Sequence, residues 1–315
     1  MNSLSASDRR RGAVVLCAGI AVEDFLFKVD RFPAPGEKVY AEALTATAGG
    51  CAANAAIAVA RLGGIARFAG PVGTDEASRR FLHSLDRMGV DSAGVVQVEG
   101  GSISVSGIFI DRDGEKMVAT KRGDKLAGAE PPDPARLVAD VDVVLADNRF
   151  PDFVEPVCAA ARARRIPVVL DADRATQLDD PVFTLASHVI FSSEALRATA
   201  GLSDLAAGLC RAAENIRAFL AVTNGPDDLL FMDAGLVQYL PVFSVAAVDT
   251  LGAGDTFHGA FALALAEGSE IVAALRFAAA SAALKCTRFG GISGTPYRDE
   301  TDAFLAARGF GLNME

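Results

Sequence analysis

The sequence predicts a three-layer α/β/α fold, with a mostly parallel central sheet between helices and a small separate β-sheet acting as a lid. Three observations predict it. Beyond residue 134, short apolar runs alternate with helical stretches, the pattern of parallel strands buried on both faces. Between residues 94 and 121 the pattern is β only. Two long, very apolar helices then occupy 254–267 and 271–286. With 315 residues, 51% of them hydrophobic and 22% charged, the chain suffices for one large domain and is too apolar to be disordered. No repeat, low-complexity tract or interdomain linker interrupts it. Residues 1–315 are therefore read as a single domain, with the lid drawn from about 38–47 and 94–121.

Each element has its own signal. Arg9, Arg10 and Arg11 precede an apolar run at 13–22, which superficially resembles a secretory signal. The run is short and Glu23 and Asp24 follow it directly, so it reads as a first buried strand. Residues 30–37, with two prolines and a glycine, form a loop, and 39–47 a short exposed strand. A small-residue helix at 51–62 ends at Gly63 and Gly64. A strand at 65–72 leads to an amphipathic helix at 76–88, stopped by Gly89. Strands at 95–96, 103–110 and 117–120 follow, the last two joined by Asp111-Arg112-Asp113-Gly114. Pro134 after Asp133 opens a helix. Strands at 141–146, 168–171, 188–191 and 218–223 alternate with helices, and a hairpin turns near Asp233-Ala234-Gly235.

Composition narrows the function. A formal net charge of −10 opposes nucleic acid as a partner, and the absence of Trp removes one stacking platform for single strands. Five scattered cysteines without a C-x-x-C pair fit a reducing cytoplasm rather than a disulfide framework or structural zinc. The three histidines lie far apart, outside any metal-ligand spacing. No stretch is long enough to span a membrane.

Chemistry concentrates at Asp249-Thr250-Leu251-Gly252-Ala253-Gly254-Asp255. Two glycines and an alanine open a helix after an extended segment, leaving backbone N–H groups uncovered at the positive end of the helix dipole. That turn suits charge developing on a phosphoryl group, and Asp255 suits a proton leaving an attacking hydroxyl. Read alone, the same residues are a tight turn and a helix cap. A dinucleotide fingerprint fails because Phe257 stands where its third glycine belongs, and no P-loop sequence occurs.

This segment resembles the C-terminal signature of the ribokinase-like (PfkB) carbohydrate kinases. Ala48-Gly49-Gly50-x-x-x-Asn54-x-Ala56, leading to Leu62-Gly63, resembles their N-terminal signature. The resemblance spans the chain after residue 12. It implies an ATP-dependent sugar kinase with a ribokinase-like fold, Asp255 as catalytic base, and an anion hole from the amides of Gly252, Ala253 and Gly254. Asp24 would take paired sugar hydroxyls unless it is an ordinary solvated acid. Gly49 and Gly50 would let backbone approach the sugar, and Asn54 would offer a donor and an acceptor. Ser192, Thr223, Gly225 and Cys286 would line the nucleotide. Asp249 resembles a residue that helps bind a monovalent cation, potassium, although a structural role competes. Magnesium follows from the chemistry.

One departure is clear. Where many members carry N-x-x-E, this chain has Ser192 and Ala195, with Glu194 one position out of register. Ketohexokinases and sulfofructose kinases depart similarly. The segments 143–149 and 282–288 resemble the latter, in which residues at the positions of Lys38 and Arg149 hold a sulfonate, although Thr120 replaces the accompanying Asn. An anionic ketose such as 6-deoxy-6-sulfofructose is therefore the expected acceptor; ribose, a 2-keto-3-deoxy acid or a nucleoside is the alternative. A salt bridge from Arg149 to Asp147 or Asp152 is its competing role. A homodimer through the lid is expected, and a catalytically silent sugar-binding protein is the rival from another class.

Overall fold

A computed structural model describes residues 12–310, so Arg9, Arg10 and Arg11 lie outside the described residues. In chain order the strands and helices begin β1 (Val14–Ala18), β2 (Val22–Lys28), β3 (Ala43–Gly49), α1 (Cys51–Arg61), β4 (Ile65–Val72), α2 (Glu76–Arg87) and β5 (Asp91–Gln97). Next come β6 (Ser104–Ile110), β7 (Lys116–Lys121), α3 (Pro134–Leu137), β8 (Val143–Asp147), α4 (Pro151–Ala163), β9 (Val168–Ala172) and α5 (Pro181–Leu185). The rest are β10 (His188–Ser192), α6 (Ser193–Ala200), α7 (Leu205–Ala213), β11 (Phe219–Thr223), β12 (Leu229–Asp233), β13 (Leu236–Leu240), α8 (Ala253–Ala266), α9 (Ile271–Cys286) and α10 (Arg298–Ala306).

Nine strands form the main sheet in the order β13-β12-β11-β10-β9-β8-β1-β4-β5. All neighbours are parallel except the hairpin β12–β13 and its junction with β11. Alternation along β1 explains why both faces are covered. Val15 and Cys17 enter the core under α1, α2, α8 and α9, whereas Val14, Leu16 and Ala18 enter the one under α4 to α7.

A second sheet, in the order β3-β2-β6-β7, stands apart from the first. Leu26, Ile108 and Ile110 pack on one of its faces against Leu251 and Phe289. Leu44, Met117 and Val118 are exposed.

The fold departs from the sequence expectations at three places. The apolar run at 13–22 is not one strand: β1 stops at Ala18, and the chain re-emerges as β2 in the second sheet. The turn is enforced by Asp147, whose Oδ2 accepts the Ile20 N–H at 2.7 Å and fills the space a side chain at Gly19 would need. Asp24 therefore lies inside β2, not at the end of the first strand. Residues 95 and 96 belong to β5 and pair with Gly70 and Pro71 of the main sheet, so they are not in the small one. Residues 38–42 are irregular, and the strand begins at Ala43.

Candidate active site

Small residues bring the two signatures together. α1 is mostly alanine and packs on α8, where a Cβ at Gly259 would lie 2.5 Å from the Ala55 carbonyl oxygen. Asp255 stands one turn before Gly259 on the same face of α8. The Asn54 side-chain amide accordingly donates to Asp255 Oδ2 at 2.6 Å. Burial raises the Asp255 carboxyl from 3.8 to about 6, the Asn54 hydrogen bond opposes the rise, and the neighbouring Asp173 charge adds to it. A carboxyl tuned to that range is ionised at neutral pH yet basic enough to take a proton.

The turn before Asp255 is open at Gly254 and closed behind Gly252. Gly252 adopts a left-handed conformation (φ 78°) that a side chain would strain, with Ile292 N behind it. A Cβ at Gly254 would meet nothing within 4 Å. The Ala253 N–H folds back to the Thr250 carbonyl at 3.3 Å, and the Thr256 N–H closes on Gly252 at 2.9 Å. The amides of Gly254 and Asp255 fall in the first turn of α8, where no helical acceptor exists.

Across the second sheet, four polar residues stand in register: Thr47, Asp24, Ser106 and Thr120. Paired residues share a face, so they make one hydroxyl-and-carboxylate row. Ser106 and Thr120 hydrogen bond at 3.0 Å. Asp24 is buried; that burial lifts its carboxyl to about 6, while the Ser106 hydroxyl pulls it down and the Asp255 charge pushes it up. Gly49 is required beside it, since any Cβ there would overlap the Asp24 carboxylate. Gly50 (φ 96°) is tied by the same logic to the Ile20 carbonyl oxygen, 2.5 Å from where its Cβ would be. Thr47 Oγ1 and Asn54 Oδ1 are buried without a hydrogen-bond partner. Two unpartnered oxygens beside a carboxylate are what a polyhydroxylated ligand would satisfy.

Acids at the C-terminal ends of the parallel strands gather beside Asp255. Asp147, on β8, is buried and structural: besides Ile20 it accepts the Ala52 N–H at 3.3 Å and the Arg149 N–H at 3.0 Å. Asp171, on β9, lies 3.4 Å from His258 Nε2, and burial drives its carboxyl well above the ordinary range. Ligating atoms of Cys51, Asp171 and Asp255 lie within 4.8 Å of one another. Asp173 accepts from the Arg149 guanidinium, so the ion-pair partner of Arg149 is neither Asp147 nor Asp152. Sequence reasoning missed Thr47, Ser106, Asp171 and Asp173, although an acid at a parallel strand's C-terminal end is a readable signal for a site.

Two of the nucleotide candidates stand together at the C-terminal ends of strands of the main sheet. Ser192 and Thr223 are directly paired at the ends of β10 and β11, and Gly225 (φ 60°) follows in open space. Ser192 caps α6 by accepting the Ala195 N–H at 3.2 Å, leaving Glu194 exposed in the first turn. Cys286 ends α9, and its carbonyl accepts the N–H groups of Val248 and Asp249 at 2.7 and 3.1 Å. Asp249 is buried behind the anion turn. Lys38 is not gathered in: it is exposed, its ammonium 5.0 Å from the centre of the Tyr40 ring.

Residues 13–298 match the model of the pfkB family carbohydrate kinases. The ribokinase of Bacillus subtilis is 31% identical over 287 residues, covering 90% of this chain and 96% of that protein. An ATP-dependent ribose-1-phosphate kinase of Halopiger xanaduensis is also 31% identical, over 303 residues, covering 93% and 98%. A crystal structure from Agrobacterium tumefaciens, provisionally called a ribokinase, superposes with a TM-score of 0.88 at 38% identity, covering 94% and 98%. Among the described residues no helix is long and apolar enough to cross a membrane.

Proposed function

The chain belongs to the pfkB family of carbohydrate kinases, and we propose that it transfers the γ-phosphoryl group of ATP to a hydroxyl of a small uncharged sugar, ribose first. The acceptor oxygen attacks the γ-phosphorus while Asp255 takes its proton. The bond to the bridging oxygen breaks, and ADP leaves with that electron pair. The amides at Gly252, Gly254 and Asp255 face the charge that develops, with Ala253 partly engaged by Thr250. Asp24 and Asn54 hold the sugar hydroxyls, with Gly49 and Gly50 giving backbone access. Ser192, Thr223, Gly225 and Cys286 line the nucleotide, and magnesium arrives with ATP as part of the substrate. The small sheet closes over the sugar and excludes water. Its exposed strand edges and apolar side chains make it the expected homodimer contact.

The observation that carries this reading is the Asn54–Asp255 hydrogen bond, which joins the two signature segments at one carboxylate beside an open helix N-terminus. A neutral acceptor is favoured because Arg149 is already paired with Asp173 among several other acids. An anionic acceptor is the second reading, favoured by Arg149 Nε, which is buried without a partner, and by the ribose-1-phosphate relative.

The test is ATP consumption with magnesium against ribose, ribose 1-phosphate, 6-deoxy-6-sulfofructose, fructose, 2-keto-3-deoxygluconate and adenosine. Turnover highest with ribose supports the reading. A preference for any of the three anionic acceptors (the phosphate, the sulfonate or the carboxylate) transfers the role of anchor to Arg149, and silence across the panel removes the kinase reading.

A further inference from the structure

Lys285 sits near the C-terminal end of α9 with no side-chain exposure; among the described residues no other lysine or arginine is so deeply buried. Its neighbours on that helix are mostly alanine, leucine and phenylalanine, so an ammonium there is costly unless its charge is met. It is met at one residue. Nζ donates to the Asp249 carbonyl oxygen at 2.6 Å and lies 3.3 Å from Asp249 Oδ1.

Asp249 in turn has its acceptors filled from within the chain. Oδ1 accepts the Leu251 N–H at 2.8 Å, and Oδ2 accepts those of Gly290 and Gly291 at 3.0 and 2.8 Å. Gly291 and Ile292 form the wall behind Gly252. A continuous set of contacts thus runs from the ammonium through Asp249 to the turn that faces the phosphoryl group. A diffusible cation at Asp249 would need the oxygens that Lys285 and these amides already hold.

We propose that Lys285 is a tethered monovalent cation: its ammonium takes the place that potassium would take at Asp249, positions the 249–254 turn, and makes the protein independent of added monovalent ions. This overturns the expectation that Asp249 binds potassium, on the chemistry of its donor set. Lys285 is a positioning residue, since it acts on the reacting atoms only through Asp249 and the turn.

The first comparison uses the wild-type protein at constant ionic strength in potassium chloride and in tetramethylammonium chloride, whose cation is too large for the site. The expected result is a kcat equal within about twofold and an unchanged Tm. Activation by potassium above about fivefold, or a Tm rise of several degrees specific to potassium, overturns the proposal. The second comparison uses Lys285→Met and Lys285→Ala. In tetramethylammonium, Lys285→Met should lose about 100-fold in kcat while the sugar KM moves less than about threefold. Lys285→Ala should regain at least about tenfold in kcat, and gain in Tm, when potassium or ammonium is supplied. Full activity in Lys285→Met, or no response of Lys285→Ala to either ion, also overturns it. If neither variant folds, the wild-type comparison decides alone. The kinetic arm rests on the kinase reading, whereas the melting arm does not. An inactive protein whose Tm ignores potassium would refute the kinase and leave the tethered cation standing.

Discussion

Replacing Asp255 by Asn should make the protein more stable at alkaline pH. In the folded chain burial raises this carboxyl from 3.8 to about 6, so the charged form is disfavoured relative to the unfolded chain. Converted through linkage, that rise amounts to ~3 kcal/mol as an upper value, and to about 1–3 kcal/mol once the partial exposure of Asp255 is allowed for. Asparagine keeps the shape, and its carbonyl can still accept the Asn54 amide, so the variant resembles the protonated wild type at every pH. The sign follows directly. Above pH 6 the wild type carries the full cost of its charge and the variant does not. As pH falls towards 3.8 the folded wild type takes up its proton before the unfolded chain does, and the difference fades. Differential scanning calorimetry at pH 8 should therefore show a Tm about 2–5 °C higher for Asp255→Asn, with the gain shrinking steadily towards pH 4. Equal or lower stability at pH 8, or a gain independent of pH, would refute the claim that this carboxylate is held at a cost for function.

Three further outcomes follow from the same geometry. In Asn54→Ala the hydrogen bond that stabilises the Asp255 carboxylate is gone, so the acid limb of the kcat/KM profile, expected near pH 6, should move to higher pH; an unmoved limb contradicts the assigned contact. Gly49→Ala forces a Cβ onto the Asp24 carboxylate and should raise the sugar KM by more than about tenfold, leaving that for ATP within about twofold. In Gly254→Ala the new methyl meets only open space, so Tm should hold within about 2 °C while kcat falls by about 100-fold, because the methyl stands in front of the anion turn.

Local signals were legible in the sequence, and long-range pairing was not. The turn at 249–255 and helix α8 depend on glycine placement within a few residues, and α9 ends where its apolar run does, at Cys286. The strand β2 escaped because Glu23 and Asp24 looked like the end of an apolar run. In the fold, Glu23 is buried against Arg80 of α2 while Asp24 joins the opposite face, two partnerships that no local pattern reveals. Val95 and Val96 carry strand propensity but nothing that says which sheet they join. The acids close to Arg149 in sequence, Asp147 and Asp152, are not its ion-pair partners. Its partner, Asp173, arrives from the next parallel strand, because β8 and β9 end side by side. A signal was missed at Lys285, a lone ammonium on an otherwise apolar part of α9, where burial demands a partner.

The role proposed for Asp255 is removal of the proton from the acceptor hydroxyl. The most direct measurement is the single-turnover rate of phosphoryl transfer in wild type and Asp255→Asn, with saturating ATP, magnesium and the acceptor that the panel selects. The predicted result is a loss of at least about 1000-fold, with binding of both substrates retained within a few-fold. Transfer within about tenfold of wild type in the asparagine variant would rule out Asp255 as the base, since asparagine at that position cannot take the proton.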